Sequence, residues 1–385
     1  MPNKREQRQT CLNVAEREAL RPKGSVPNKR EQQQTRLNVP ALRFPEFKGE
    51  WKTYAIGEIL SIGSGRDYKQ LELGDTPVFG TGGLMTRVNQ CLMEGESVFI
   101  GRKGTINRPF YYCGKFWTVD TLFYTHSFIN VIPKFVLYLF ETIDWLKYNE
   151  ASGVPSLSKS TIEKIIVKLP SIAEQTKIAR LLTILDDRIA TQRKIIEDLE
   201  KLKSAIYHKV FSTIKGETVA LTSVANIVKG KQLNGEELSD SGTYYVMNGG
   251  IVPSGYYHEY NTPENTISIS EGGNSCGYVQ FNHKPFWSGG HCYTLHLSNE
   301  SVNLLFLYHF LKYKEKDIMA LRIGSGLPNI QKRTLGNFPV LLPSINEQNK
   351  VVRLFEAIQQ KVGIDIKILH QLLIQKQYLL QQMFI

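Results

Sequence analysis

The feature that most constrains this chain is that much of it is written twice. The segment SGVPSLSKSTIEKIIVKLPSIAEQTKI from Ser152 returns from Ser325 as SGLPNIQKRTLGNFPVLLPSINEQNKV, at a constant offset of 173 residues. Pro155 matches Pro328, Pro170 matches Pro343, Glu174-Gln175 match Glu347-Gln348, and Phe211 matches Phe384, with no gap. Upstream the offset drifts, as loops of unequal length require. Lys115-Phe116-Trp117 align with Pro285-Phe286-Trp287, Gly82-Gly83 with Gly249-Gly250, Gly65-Arg66 with Gly230-Lys231, and Tyr138 with Tyr308. A repeat of this length dictates two copies of one fold. The expected divisions are a basic arm over 1–45, a globular part over 46–169, a helix over 170–211, a second globular part over 212–342 and a second helix over 343–385.

Each helical part opens with Pro-Ser and an S-x-x-E pattern, Ser171 to Glu174 and Ser344 to Glu347. In a capping box the Ser accepts from a backbone N–H while the Glu reaches back to the cap residue. Apolar residues then recur at three- and four-residue spacing. They are Ile178, Leu181, Leu185, Ile189, Ile196, Leu199, Ile206 and Val210, and in the second copy Val351, Leu354, Ile358, Val362, Leu369, Leu372, Leu379 and Met383. That period predicts a coiled coil, and 40 helical residues would span ~60 Å. Gln192 and Asp365 interrupt the two seams at one level, either to fix register or to face solvent, whereas Asp186-Asp187 read as solvated charge on the outer face. The globular parts have short β-rich runs (Glu96–Ile100, Phe110–Cys113, Thr266–Ile269) separated by Gly-rich turns. Each ends in an aromatic helix, expected over 134–148 and 302–322. The class is α+β: two tandem-repeated β-rich domains separated by two long helices that form an antiparallel coiled coil.

Charge and cysteine content narrow the function classes. The net charge is +11, but the first 45 residues carry +6 of it, so the body is almost neutral. The arm repeats PNKREQRQTCLNV as PNKREQQQTRLNV, lacks an apolar stripe and reads as flexible, with phosphate contact one possible role. The richest apolar stretch, Phe128 to Phe140, is broken by Pro133 and Lys134 and is too short to span a membrane. The polar N-terminus offers no signal peptide. Five cysteines without a C-x-x-C pair suit a reducing cytoplasm, and neither a disulfide framework nor a metal site is expected.

Few motifs here carry catalytic chemistry. Phe79-Gly-Thr-Gly-Gly83 looks like the loop with which adenine methyltransferases hold S-adenosylmethionine. The catalytic Asn/Asp-Pro-Pro-Tyr/Phe that should follow is absent, Asn107-Arg-Pro-Phe110 being its nearest likeness, so a tight turn is the simpler reading. No P-loop signature occurs. Gly101-Arg-Lys-Gly104 is either a solvated hairpin tip or a turn that brings two cations to a phosphate. Its counterpart, Glu271-Gly-Gly-Asn274, has the opposite charge, as two copies reading different targets would. The loops Gly153–Lys159 and Gly326–Arg333 combine small residues with cations and suit phosphate contact, chain reversal or both.

On these residues the chain resembles the specificity (S) subunit of type I restriction-modification systems. The resemblance covers residues 39–385 and rests on Val39-Pro-Ala-Leu-Arg-Phe-Pro-Glu-Phe47 with Gly49-Glu-Trp51, on Pro170-Ser-Ile-Ala-Glu-Gln175 leading to Ile184-Leu-Asp-Asp-Arg-Ile189, and on the repeat itself. The second copy departs from the helix motif, with Ala357-Ile-Gln-Gln-Lys-Val362. The resemblance implies a non-catalytic subunit in which each globular part is a target recognition domain reading half of a bipartite double-stranded DNA site. The helices act as a ruler, with half-sites about 34 Å apart. It also implies partners: two methyltransferase (M) subunits that bring S-adenosylmethionine and methylate adenine N6, and two restriction (R) subunits that use ATP and Mg. Cofactors are expected in those partners and none in this chain.

Arg, Lys, Asn and Gln make the bidentate contacts to purine edges. The candidates for base contact are therefore Arg66, Lys69, Arg87, Asn89, Arg102, Lys103 and Asn107 in the first copy, and Lys229, Lys231, Asn234, Asn248, Asn274 and Gln280 in the second. Lys159, Lys332 and Arg333 are candidates for phosphate. The alternatives are a self-sufficient methyltransferase, against which the missing catalytic motif counts, and a coiled-coil scaffold or silent copy without DNA recognition.

Overall fold

A computed structural model describes residues 38–385 except Ser325, so most of the basic arm and its internal duplication lie outside the described residues. The chain divides into two compact units, one running to Arg193 and including Lys367–Ile385, the other Lys194–Ile366. No helix among the described residues is long and apolar enough to cross a membrane.

The first unit contains, in order, β1 (Lys52–Ala55), α1 (Ile56–Ile59), β2 (Ser61–Ser64), β3 (Leu73–Gly80), β4 (Gly83–Val88), β5 (Met93–Gly101), β6 (Phe110–Thr118), β7 (Leu122–His126), α2 (Pro133–Thr142), α3 (Lys159–Lys164) and β8 (Ile166–Leu169), and then enters the long helix α4 (Ile172–Thr213). Six strands form one sheet in the order β2-β7-β5-β6-β3-β4, while β1 and β8 pair separately. Successive side chains of a strand point to opposite faces, and β5 uses both. Val98 and Ile100 enter the core beneath α2, whereas Phe99 enters an aromatic cluster with Phe79, Phe116 and Leu122. The helix expected over 134–148 stops at Thr142, and a single turn follows at Trp145–Tyr148. The Trp145 indole N–H donates to the Phe140 carbonyl (2.8 Å) and so takes an acceptor that the next helical turn would use.

The second unit contains β9 (Glu217–Ala220), β10 (Ala225–Lys229), β11 (Tyr244–Met247), β12 (Gly255–Tyr257), β13 (Thr266–Ser270), β14 (Val279–Asn282), β15 (Trp287–Ser288), β16 (Cys292–Leu297), α5 (Leu304–Tyr313), α6 (Glu315–Ala320), α7 (Lys332–Gly336), β17 (Pro339–Leu342) and the start of α8 (Ile345–Met383). Its strands repeat the order of the first unit, but the sheet is split into β10-β16-β13-β14 and β12-β11-β15. The single strand β6 corresponds here to two, β14 and β15. Pro285 stands between them where the first copy has Lys115, and a proline cannot donate to the ladder. The helix expected over 302–322 is also two helices, with Lys314 off the helical path. The Glu315 carboxylate thereby accepts from the Val279 N–H (2.9 Å) at the start of β14.

Both long helices start where the prolines and serines place them, and α4, with 42 residues, is ~63 Å long. The capping boxes are only half formed. Ser171 and Ser344 Oγ each accept from the Glu N–H three residues on (3.4 Å), but neither carboxylate turns back. Glu174 instead holds the Arg43 guanidinium with both oxygens (2.8 and 2.7 Å) and accepts from the Trp51 indole (3.4 Å), while Glu347 pairs with Lys350. The next residue performs the same task in each unit. Gln175 Nε2 donates to the carbonyls of Asn130 and Pro170, and its Oε1 accepts from the Ile132 N–H; Gln348 does the same with Ser301, Pro343 and Asn303.

This anchor also fixes the register of the aromatic helices, and it corrects the expected match of Tyr138 with Tyr308. The residue equivalent to Tyr138 is His309. Tyr138 Oη bonds Thr183 and Asp186, and His309 bonds Tyr207 and Glu356, the repeat mate of Thr183.

Within each unit the two long helices run antiparallel. In the first, Ile178 and Leu182 share a core with Met383 and Phe384, and Lys376 pairs with Asp186 (2.7 Å). Asp186 is therefore not on the outer face, although Asp187 is exposed. In the second, Tyr207 lies 4.0 Å from Phe355 between ring centroids, and Lys203 bonds Gln359. Lys376 and Asp186 are the repeat mates of Lys203 and Gln359, so one contact is built twice. The buried face is wider than the expected seam because it also packs on the aromatic helices. Leu182, Tyr207, Phe211 and Phe355 are buried, whereas Leu354 is exposed. Gln192 and Asp365 are both buried, which removes the solvent-facing alternative.

Candidate nucleic-acid interface

In the first unit four loops converge at one end of the sheet. The Arg66 N–H donates to the Thr118 carbonyl (2.8 Å), and the Trp117 indole donates to the Arg66 carbonyl (2.9 Å). Gly65 must be glycine because a Cβ there would stand 2.0 Å from the Val119 carbonyl oxygen. The Arg102 N–H donates to the Thr121 carbonyl (2.8 Å). The loop after β5 is then clasped by the loop before α3: the Gly104 N–H donates to the Pro155 carbonyl (2.8 Å), the Leu157 N–H to the Arg102 carbonyl (2.9 Å), and Lys103 bridges to Ser156. Gly104 makes the turn at φ +86°. Beside these loops is a cleft of about 730 Å³ lined by Asp67, Tyr68, Lys69, Thr81, Met85 and Asp120 among others.

The second unit rebuilds this end contact by contact. The Lys231 N–H donates to the Ser288 carbonyl (2.8 Å), and the Trp287 indole donates to the Lys231 carbonyl (2.9 Å). A Cβ on Gly230 would stand 2.3 Å from the Gly289 carbonyl oxygen. The clasp recurs as Gly273 N–H to Pro328 (3.0 Å), Ile330 N–H to Glu271 (2.8 Å) and a bridge from Gly272 to Asn329, with Gly273 at φ +78°.

What differs is the side chains that this backbone displays. Arg102 lies over the Phe123 ring (5.8 Å), and Arg66, Lys69, Lys103 and Asn107 are exposed at the same end. At the position of Arg102 the second unit has Glu271, a nearly buried carboxylate. It holds Lys229 Nζ (2.6 Å), accepts from Tyr293 Oη (3.1 Å) and lies 3.9 Å from His291 Nδ1. Burial and the Glu271 charge together hold the Tyr293 hydroxyl well above its ordinary pKa. Burial also pushes the Cys292 thiol up to about 11, away from nucleophilic chemistry at neutral pH. Gly83, in the loop that resembles a cofactor turn, closes the β3–β4 hairpin at φ +102°.

The remaining candidates have varied surroundings. Arg87 donates to the Asp75 carbonyl (2.7 Å) and Asn89 to Glu72 (3.2 Å), which ties both to the segment leading into β3. Lys159 pairs with Glu163 (3.6 Å) on α3. The Asn234 backbone N–H donates to the Glu237 carboxylate (2.9 Å), Asn248 Oδ1 accepts from the His291 N–H (3.1 Å), and half-buried Gln280 pairs with Ser268 within the sheet. Lys231, Asn274, Lys332 and Arg333 are exposed. Sequence reasoning missed Thr121 and His291, which occupy one turn in the two copies. Each lies four residues past the matched Trp117 or Trp287, and that match was the available signal.

Comparison with known proteins gives a consistent result. The family model described as the type I restriction modification DNA specificity domain matches residues 48–201 and again 214–373. A protein of Mycoplasma genitalium named as a type I specificity subunit is 27% identical over 226 residues, covering 55% of this chain and 59% of that protein. One of Mycoplasma pneumoniae is 35% identical over 144 residues, covering 37% and 38%. The chain thus spans less than two thirds of the length of these curated relatives. Among solved structures, a type I S subunit from M. genitalium aligns over 90% of this chain and 99% of its own length, with a TM-score of 0.67 at 21% identity. At that identity the likeness speaks for the fold.

Proposed function

Because the chain belongs to the family of type I restriction-modification DNA specificity proteins, we propose that it is the subunit that chooses the DNA sequence on which its complex acts, each unit reading one half of a bipartite double-stranded target. One observation carries this reading: the same loop clasp is built twice, with Arg102 at a position in one copy where the other has Glu271. Arg is suited to guanine edges or phosphate, whereas a lysine–glutamate pair displays a different pattern. Two equal scaffolds bearing unequal side chains are what an asymmetric two-part site requires.

The long helices α4 and α8 set the separation of the half-sites and receive the methyltransferase subunits. Exposed apolar residues support such docking: Ile184, Ile368, Ile374 and Tyr378 on the first unit, and Ile195, Leu202 and Ile364 on the second. In this reading the methyltransferase subunits supply S-adenosylmethionine, and restriction subunits supply the ATP- and Mg-dependent steps. The near-neutral body suits a chain whose partners provide much of the phosphate neutralisation.

The test is a single-molecule map of N6-methyladenine in cells with and without this gene, with the methyltransferase subunit present. The expected result is a two-part motif with a fixed gap that disappears on deletion. Exchange of residues 46–169 for those of a relative should change one half of the motif only. An unchanged methylation map would instead favour a scaffold or silent copy.

A further inference from the structure

At the tip of the clasping loop each unit displays one large apolar side chain to solvent, at the same position of the repeat. Val154 is 67% exposed and Leu327 is 86% exposed. A single exposed apolar residue is ordinary on a protein surface. Two at one repeat position, exposed at the tip of a loop whose Ser-Gly-x-Pro frame is kept in both copies, require a reason. The loop that each tip clasps has diverged, with Glu271 in place of Arg102 and Gly272 in place of Lys103, whereas the clasping loop itself keeps Pro155 as Pro328, Leu157 as Ile330 and Lys159 as Lys332. The backbone that presents the tip is kept throughout. Each residue precedes a proline whose carbonyl is held by a glycine N–H, Gly104 to Pro155 and Gly273 to Pro328, so the backbone at the tip is extended and held in the same way in both units. Gly153 and Gly326 beside them have nothing within 4 Å of a Cβ position, so the tips stand in open space.

A side chain that read base identity would have diverged with Arg102 and Glu271. A side chain kept apolar in both copies suits a task that is the same in both half-sites. The surroundings select a polyanion as its object, with Lys103 and Lys159 near the first tip and Lys332 and Arg333 near the second, all exposed. Apolar residues delivered to DNA between cations act by pressing between base steps and unstacking them. Resting on the DNA-reading function above, we propose that Val154 and Leu327 are matched wedges, each loosening one base step of its own half-site regardless of sequence. Unstacking lowers the cost of extruding a base for chemistry by a partner subunit.

The experiment uses the complex of this chain with its methyltransferase subunits and a duplex carrying the mapped motif, with 2-aminopurine placed in turn at each step of each half-site. The wild-type complex should raise the fluorescence at one step per half-site. Val154→Ser should abolish the rise in the first half-site only and Leu327→Ser in the second only, with methylation there slowed roughly tenfold and the motif unchanged. Val154→Leu and Leu327→Val should retain the signal. Unaltered fluorescence in the serine variants overturns the wedge, as does a change of motif at a single base, which would make these residues readers. Loss of complex assembly without DNA also overturns it, by making them protein contacts. A wild-type complex that yields no motif at all overturns the DNA-reading function itself, and the wedge with it.

Discussion

The two units have one backbone plan and opposite electrostatic habits. In the first, the buried charge lies at the foot of the unit, where Glu174 grips Arg43 with both oxygens, and the recognition end displays cations such as Arg66 and Lys103, which form no ion pair among the described residues. In the second, Glu347 at the foot is half exposed and pairs with Lys350, while the buried carboxylates lie elsewhere: Glu271 in the recognition loop, held by Lys229, and Asp365 on α8, held by Lys361. The difference teaches that glycine positions and backbone clasps define the scaffold. Charge is free to move over it, provided each buried carboxylate is given a partner.

The strongest way to break the comparison is at the foot. Glu174→Ala should destabilise the first unit by about 2–3 kcal/mol, since it removes the acceptor of the buried Trp51 indole and leaves the partly buried Arg43 guanidinium with the Gly49 carbonyl. Glu347→Ala should cost the second unit less than about 1 kcal/mol. Chemical denaturation, with hydrogen exchange to assign each transition, checks both values.

Of similar size is the response to acid. His309 is held neutral by burial and by the nearby Lys203 charge, which lower its pKa to about 4. A lowered histidine pKa gives stability that is complete above the unfolded value near 6.5 and is lost as pH falls towards 4. The loss should reach about 3 kcal/mol and fall on the second unit. The first unit has Tyr138 at the equivalent position, where burial raises the hydroxyl pKa, so it should lack this slope. His309→Gln should flatten the second unit's pH profile between those values. An acid transition that persists in that variant would place its origin elsewhere.

The recognition ends should differ under salt. Lys103→Ala should weaken DNA binding by the assembled complex and reduce the slope of log K against log salt by about 0.9 if it contacts one phosphate. Lys229→Ala should change that slope less, because Lys229 is already paired with Glu271. The smallest effect is expected at the sheet break. Pro285→Lys should restore a donor and stabilise the second unit by less than about 1 kcal/mol, visible as added hydrogen-exchange protection around residues 283–287.

The sequence by itself determined that there are two copies, where each long helix begins, and which glycines recur. These are statements about a repeat and about local backbone chemistry, and both can be read along the chain. Gln175 and Gln348 were visible as a matched pair, though their role in stapling the helix start to the aromatic helix was not. The candidate site was legible in outline, because the loops of Arg66 and Lys103 gather at one end of the first unit and the loop of Lys231 takes the matching place within the second. The chain order did not reveal that Lys229 is neutralised by a carboxylate 42 residues away, that Arg43 pairs with a residue 131 positions on, or that His309 takes the place of Tyr138. Tertiary structure alone decided these. Whether a charge is displayed or spent within the fold depends on which distant side chain packs beside it, and no local period records that distance.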